Sequence, residues 1–113
     1  MNRELLTGKF RLAYYPVVSD VFEAIATPAR RAILDELVDR DGQTLFELCS
    51  RLAMKHQLGL TRQAISQHLE VLESAGLITT LRSGKYKLHY LHTAPLKAVV
   101  ARWLKPAKKG VRK

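Results

Sequence analysis

The sequence is short of nearly everything that marks a secreted, membrane-spanning or low-complexity chain. It has one cysteine, Cys49, in 113 residues. A single thiol excludes an internal disulfide framework and fits a reducing compartment. No apolar run approaches the roughly 18 residues that a spanning helix needs, and the stretch from Met1 to Tyr15 is broken by Arg3, Glu4, Lys9 and Arg11. That stretch lacks the apolar core of a secretory signal, so a cytoplasmic location with no membrane partner is expected. The parts of an enzyme are missing too: there is no Gly-rich phosphate loop, no framed pair of carboxylates and no Cys-His couple. No catalytic residue and no cofactor are assigned. Acid is the scarce charge, with ten Asp and Glu against nineteen Lys and Arg, a net charge of +9. A basic surface of this kind suits a phosphate-bearing partner. It suits an anionic membrane or a merely solvated face equally well, so charge alone decides little.

The chain is long enough for one domain, and a domain this size gains from a partner subunit. Helix signals punctuate it from Asp20 onward. Asp20 with Glu23 reads as a cap and its reciprocal partner, opening a short helix through Val21, Phe22 and Ile25. Thr27 precedes Pro28, which is tolerated at the first helical position because its missing N–H has no partner there anyway. The helix that follows runs to about Val38, with Ile33, Leu34, Leu37 and Val38 as its apolar stripe, and Asp41-Gly42 ends it. Thr44 and Glu47 form a capping box for a third helix with Leu45, Leu48 and Leu52 on one face, fading near His56. Met54 to Leu60 is a connection longer than a tight turn, read either as an extra helical turn or as a flexed loop. Thr61 then caps a fourth helix, Arg62 to Ala75, with Ile65, Leu69 and Leu72 inward and Gly76 as its stop.

After Gly76 the period changes. Ile78 to Leu81 and Tyr86 to Leu91 are short β-prone runs separated by Arg82-Ser83-Gly84-Lys85, and Tyr86, Leu88 and Tyr90 alternate with Lys87, His89 and Leu91. Thr93 and Pro95 open a last helix carrying Leu96, Val99, Val100 and Trp103. The predicted fold is mainly α with a small β-hairpin wing, an α+β winged helix-turn-helix of five or six helices. Residues 20–104 form the domain. Residues 1–19 are an N-terminal extension expected to be helical and to join a dimer interface, given its apolar Leu5, Leu6, Phe10, Leu12, Tyr14 and Tyr15. Residues 105–113 form a basic tail expected to be disordered.

The fourth helix carries the functional signal. Its outer face and start present Thr61, Arg62, Gln63, Ser66, Gln67 and Glu70. Arg suits guanine, Gln suits adenine and Ser or Thr suit either, when placed in the N-terminal half of a helix that enters the major groove. An ordinary amphipathic helix with a solvated face would look the same in isolation. Its position between a positioning helix and a basic hairpin favours the reading role, with the wing's Arg82, Ser83, Lys85 and Lys87 reaching backbone or minor groove.

Two motifs resemble a known family. Phe22-Glu23-Ala24-Ile25-Ala26-Thr27-Pro28-Ala29-Arg30-Arg31-Ala32-Ile33-Leu34 is similar to the opening motif of the ArsR/SmtB winged-helix repressors. Gln63-Ala64-Ile65-Ser66-Gln67-His68-Leu69-Glu70-Val71-Leu72, followed by Ala75-Gly76-Leu77-Ile78, resembles that family's recognition-helix signature. The resemblance implies a homodimer formed by the first and last helices, here through Phe22, Leu96, Val99, Val100 and Trp103. It implies a repressor of an inverted-repeat operator in double-stranded DNA, answering to an effector of unspecified chemistry. It places Ser66, Gln67 and His68 at the groove-facing centre, with a seam position as the other option for His68.

The chain also departs from the family. Metal-sensing members carry two cysteines in the third helix, whereas Glu47-Leu48-Cys49-Ser50-Arg51-Leu52 keeps the first and has Arg51 in place of the second. A lone thiolate is not a soft-metal site, the last helix has no carboxylate or histidine, and His56, His68, His89 and His92 are not spaced as a compact ligand set. No metal is expected, and Cys49 reads as a small buried hydrophobe rather than a redox sensor. The alternative to a DNA reader is a basic interaction module that binds an acidic partner without sequence preference.

Overall fold

Helix α1 (Val17–Ala24) begins upstream of Asp20, the residue that sequence alone marks as its cap, so Asp20 lies within the helix. This computed structural model describes residues 17–104, and the expectations for the N-terminal segment and the basic tail fall largely outside them. The next three starts do follow threonine chemistry. Thr27 Oγ1 accepts the Arg30 N–H at 3.2 Å and opens α2 (Pro28–Asp39). Thr44 and Glu47 exchange both bonds of a capping box at the start of α3 (Leu45–Lys55). Thr61 Oγ1 accepts the Ala64 N–H at 3.0 Å at the start of α4 (Arg62–Ser74). Each bond satisfies an orphan donor of the first turn, worth about 1 kcal/mol.

The stripe read along α2 holds at Ile33 and Leu37 but not at Val38, which is 72% exposed. Glu36, only 2% exposed, takes an inward place instead, bonded to Lys55 and His56 at the end of α3. The connection to α4 is a flexed loop rather than another helical turn. Gln57 adopts a left-handed φ of 55°, which turns the chain so that the Leu58 N–H donates to the Leu52 carbonyl at 3.0 Å. Leu58 then packs on the core edge.

Strands β1 (Ile78–Ser83) and β2 (Tyr86–Leu91) form an antiparallel hairpin in which Ser83 pairs with Tyr86. Its turn is therefore Gly84-Lys85, tighter than the four-residue separation read from sequence, with Gly84 at φ 62°. Helix α5 (Ala94–Trp103) follows and returns to pack on α1. Thr93 stands at its cap position without a side-chain cap bond.

The base of the hairpin is fastened to the turn after α2. Gln43 forms an isolated bridge with His89: the His89 N–H donates to the Gln43 carbonyl at 2.8 Å, and the Gly42 and Gln43 N–H groups donate back to the His89 carbonyl. Tyr90 lies so close to Gly42 that a Cβ there would sit 2.9 Å from the ring. Beneath this, Ile33, Leu37, Leu48, Leu52, Ile65, Leu72, Leu77 and Ile78 close one core shared by α2, α3, α4 and β1, with Val21 and Ala24 bringing in α1.

Candidate nucleic-acid interface

Ile65, Leu69 and Leu72 hold one side of α4 in the core, so its opposite side is set outward. Thr61, Arg62, Gln63 and Gln67 are exposed, and Ser66 is half-buried at the floor of a cleft of about 320 Å³. The cleft runs between the start of α3, the face of α4 and the wing; Thr44, Arg62, Ser66, Glu70, Lys85 and Lys87 are on its walls. No acidic side chain occupies the first turn of α4. The positive end of its dipole and the free N–H groups of that turn are thus available to an anion.

The wing residues singled out in the sequence, Arg82, Ser83, Lys85 and Lys87, are all exposed. Arg82 and Lys87 are register partners, two cations directly opposite each other on one face of the hairpin. Like charges so placed repel, which suits the position to an anionic partner. Tyr86 was not singled out by sequence, where it reads as one more alternating strand residue. It lines the same cleft, 56% exposed, with the Lys85 ammonium 5.8 Å from its ring centroid. An aromatic side chain between two lysines at a hairpin tip was the available signal.

His68 does not share the outward direction of Gln67. It is half-buried, and its Nδ1 accepts from the Arg30 guanidinium at 3.1 Å. Burial, and then the neighbouring Arg30 charge, hold its pKa below the ordinary histidine value. Of the two options for His68, groove centre and seam, its Nδ1 takes the seam with α2. The other three histidines are also engaged within the fold. His89 and His92 each donate Nδ1–H to a backbone carbonyl, Gln43 at 2.9 Å and Gly76 at 2.8 Å, and His56 Nε2 lies 3.0 Å from the Glu36 carboxylate. Among the described residues no cluster of three or more His, Cys, Asp or Glu could hold a metal ion. Cys49 is half-buried, and burial raises its thiol above the usual range despite nearby Arg62.

The order of elements and the wing agree with what known proteins share with this chain. A family model described as a helix-turn-helix domain matches residues 25–80. The HTH-type transcriptional regulator YuzN of Bacillus subtilis is 48% identical over 84 residues, covering 74% of this chain and 91% of its own. The transcriptional repressor SdpR of the same organism is 32% identical over 79 residues, covering 70% of this chain and 80% of its own. The solved structure of an ArsR-like transcriptional regulator from Rhodococcus sp. RHA1 superposes with a TM-score of 0.63 at 29% identity, over 76% of this chain and 77% of that one. The chain belongs to the ArsR-like winged helix-turn-helix transcriptional regulators. In this winged helix-turn-helix, α3 and α4 form the helix-turn-helix pair and β1–β2 the wing.

The five residues of this ArsR-like chain expected at a subunit interface divide in two. Leu96 and Val99 are half-buried and pack on the core. Phe22, Val100 and Trp103 are exposed, at 43%, 50% and 61%, and the Phe22 and Trp103 rings lie 6.0 Å apart across α1 and α5. None of the described helices is long and apolar enough to cross a membrane.

Proposed function

We propose that this regulator is a homodimeric repressor that reads an inverted-repeat operator through α4. Arg62, Gln63, Ser66 and Gln67, with Thr61 at the helix start, face the major groove, and Arg82, Ser83, Lys85 and Lys87 hold the flanking backbone. The observation that carries this reading is one cleft in which Arg62 and Ser66 of α4 meet two wing lysines, Glu70 and Glu73 lining it further along the helix, with Gln63 and Gln67 exposed on α4 outside it. Phosphate contacts set register while base-edge contacts set sequence, and the cleft offers both kinds of side chain side by side. The exposed aromatic pair of α1 and α5 is the surface that a second copy covers, and dimer symmetry supplies the two half-sites. The repressor SdpR, a relative, supports the sign of regulation. The effector is not a soft metal bound at the third helix, because Arg51 stands where a second cysteine would be needed. A cytoplasmic protein is the setting this activity requires.

The test is fluorescence anisotropy with duplexes tiled across the DNA upstream of the chain's own gene, against scrambled duplexes of equal length. A preferred duplex is expected, with Arg62→Ala or Gln67→Ala losing roughly 1–3 kcal/mol of discrimination. Equal binding to scrambled DNA would refute the reading and favour a partner recognised by charge alone.

A further inference from the structure

Arg30, on α2, reaches two other helices with one side chain. It sits in the first turn of α2, where its own N–H is held by Thr27. Its Nε donates to the Ala24 carbonyl at 2.8 Å and its Nη2 to the Glu23 carbonyl at 3.3 Å, both at the C-terminal end of α1. Its Nη1 donates to His68 Nδ1 of α4 at 3.1 Å. The last carbonyls of a helix lack intrahelical donors, and a planar guanidinium can serve two of them and a third group without rearranging. Arg31 reinforces the joint by donating to the Ile25 carbonyl at 2.7 Å.

We propose that Arg30 is a positioning residue for DNA reading, locking the rotation of α4 to the end of α1 through His68. The apolar side of α4 and the Arg30–His68 bond restrain that rotation in different ways. Ile65, Leu69 and Leu72 make non-directional contacts, and apolar contacts tolerate a small roll of the helix. A hydrogen bond is directional. His68 follows Gln67 immediately, and a roll of α4 that moved its ring would swing Ser66 and Gln67 by the same angle. The bond also requires a neutral ring with its proton on Nε2, because a guanidinium only donates. Helix α1 carries Phe22, which faces Trp103 of α5, so whatever seats α1 and α5 against a second copy is one guanidinium away from the reading face. The inference rests on the reading of α4 and of the α1–α5 surface given above. It adds a mechanical path between them, made of two backbone carbonyls, one arginine and one histidine.

The test uses the full chain with Arg30→Lys, His68→Leu, the double variant and His68→Asn, whose Oδ1 replaces Nδ1 as acceptor. The DNA probe is a duplex enriched from a randomised pool by the wild type, beside a scrambled duplex. Arg30→Lys and His68→Leu are each expected to lose about tenfold in affinity for the enriched duplex. The double variant loses no more than the worse single, His68→Asn recovers most of the loss, and affinity for scrambled DNA stays within about twofold. Additive losses, or equal losses on both duplexes, would overturn the positioning role.

A second readout needs no DNA. In ¹⁵N NMR spectra His68 should appear as the neutral Nε2–H tautomer, and Arg30→Lys should shift the Ser66 and Gln67 amide resonances. Unmoved Ser66 and Gln67 resonances would overturn the proposal. A pool that yields no enriched duplex would overturn the reading of α4 instead, leaving the joint itself to be judged by the NMR result.

Discussion

Replacing Gly42 by alanine should be among the most damaging single-methyl changes in this protein. Two independent costs meet there. The backbone has φ 72°, and a Cβ in that left-handed region costs roughly 1–2 kcal/mol. The added Cβ would also stand 2.9 Å from Tyr90 Cε2 and 3.0 Å from Cζ, a clash in a site already fixed by the Gln43–His89 bridge. Overpacking of this kind costs about 1–3 kcal/mol. The sum, about 2–5 kcal/mol, is a large share of the 5–15 kcal/mol typical of a domain. Gly84 separates the two contributions. It has φ 62° but nothing within 4 Å of where its Cβ would be, so Gly84→Ala carries the backbone cost alone. Urea unfolding followed by far-UV circular dichroism at fixed protein concentration would measure all of this, with m unchanged across the set. Gly42→Ala should exceed Gly84→Ala by about 1–3 kcal/mol, and a cycle with Tyr90→Leu should return a coupling of that size. A Gly42→Ala no costlier than Gly84→Ala, or strict additivity with Tyr90→Leu, would refute the steric argument.

Two further outcomes follow from other parts of the fold. Burial pushes the Glu36 carboxyl up, but hydrogen bonds from Lys55 and His56 outweigh it and hold the pKa below its ordinary value of 4.5. The unfolded chain therefore takes up this proton first, and the stability is fully present above about pH 4.5 and lost as pH falls through the folded value. Glu36→Gln should flatten the acid limb of a stability–pH curve; an unchanged limb would remove Glu36 from the account. Trp103→Ala should weaken the proposed dimer at least about tenfold in sedimentation equilibrium while leaving the helical signal intact, since fully burying a large apolar side chain against a second copy contributes about 1.5–3 kcal/mol. A dimer constant unchanged by the substitution would place the interface elsewhere.

How much of this was legible in the sequence depended on how far each residue's partner lies along the chain. Thr27, Thr44 and Thr61 were readable because their bonds close within three residues. Ile65, Leu69 and Leu72 were readable from their spacing, and so was the polar face they leave outward. Glu36 was not, because a charged residue reads as outward until Lys55 and His56 arrive from 19 and 20 residues away. Val38 was placed inward for the complementary reason: apolar character and spacing suggested a stripe that the helix rotates away from the core. His68 looked like a base-reading residue because its partner, Arg30, is 38 residues back. The burial of His89 was not legible either, because its partner Gln43 is 46 residues back. At the cleft, Tyr86 went unread because strand alternation explained it already.

The wing is held very differently at its two ends. Its base is bolted to the turn after α2 by backbone pairing and the His89 imidazole, beside a glycine against which the Tyr90 ring lies closely. Its tip, Gly84-Lys85, projects with open space around the glycine. A hairpin built this way can gain residues, lose them or change charge at the tip without disturbing the core that orients it. On the proposed reading, reach and charge toward the phosphate backbone can then be retuned at the tip, one substitution at a time, while α4 stays unchanged.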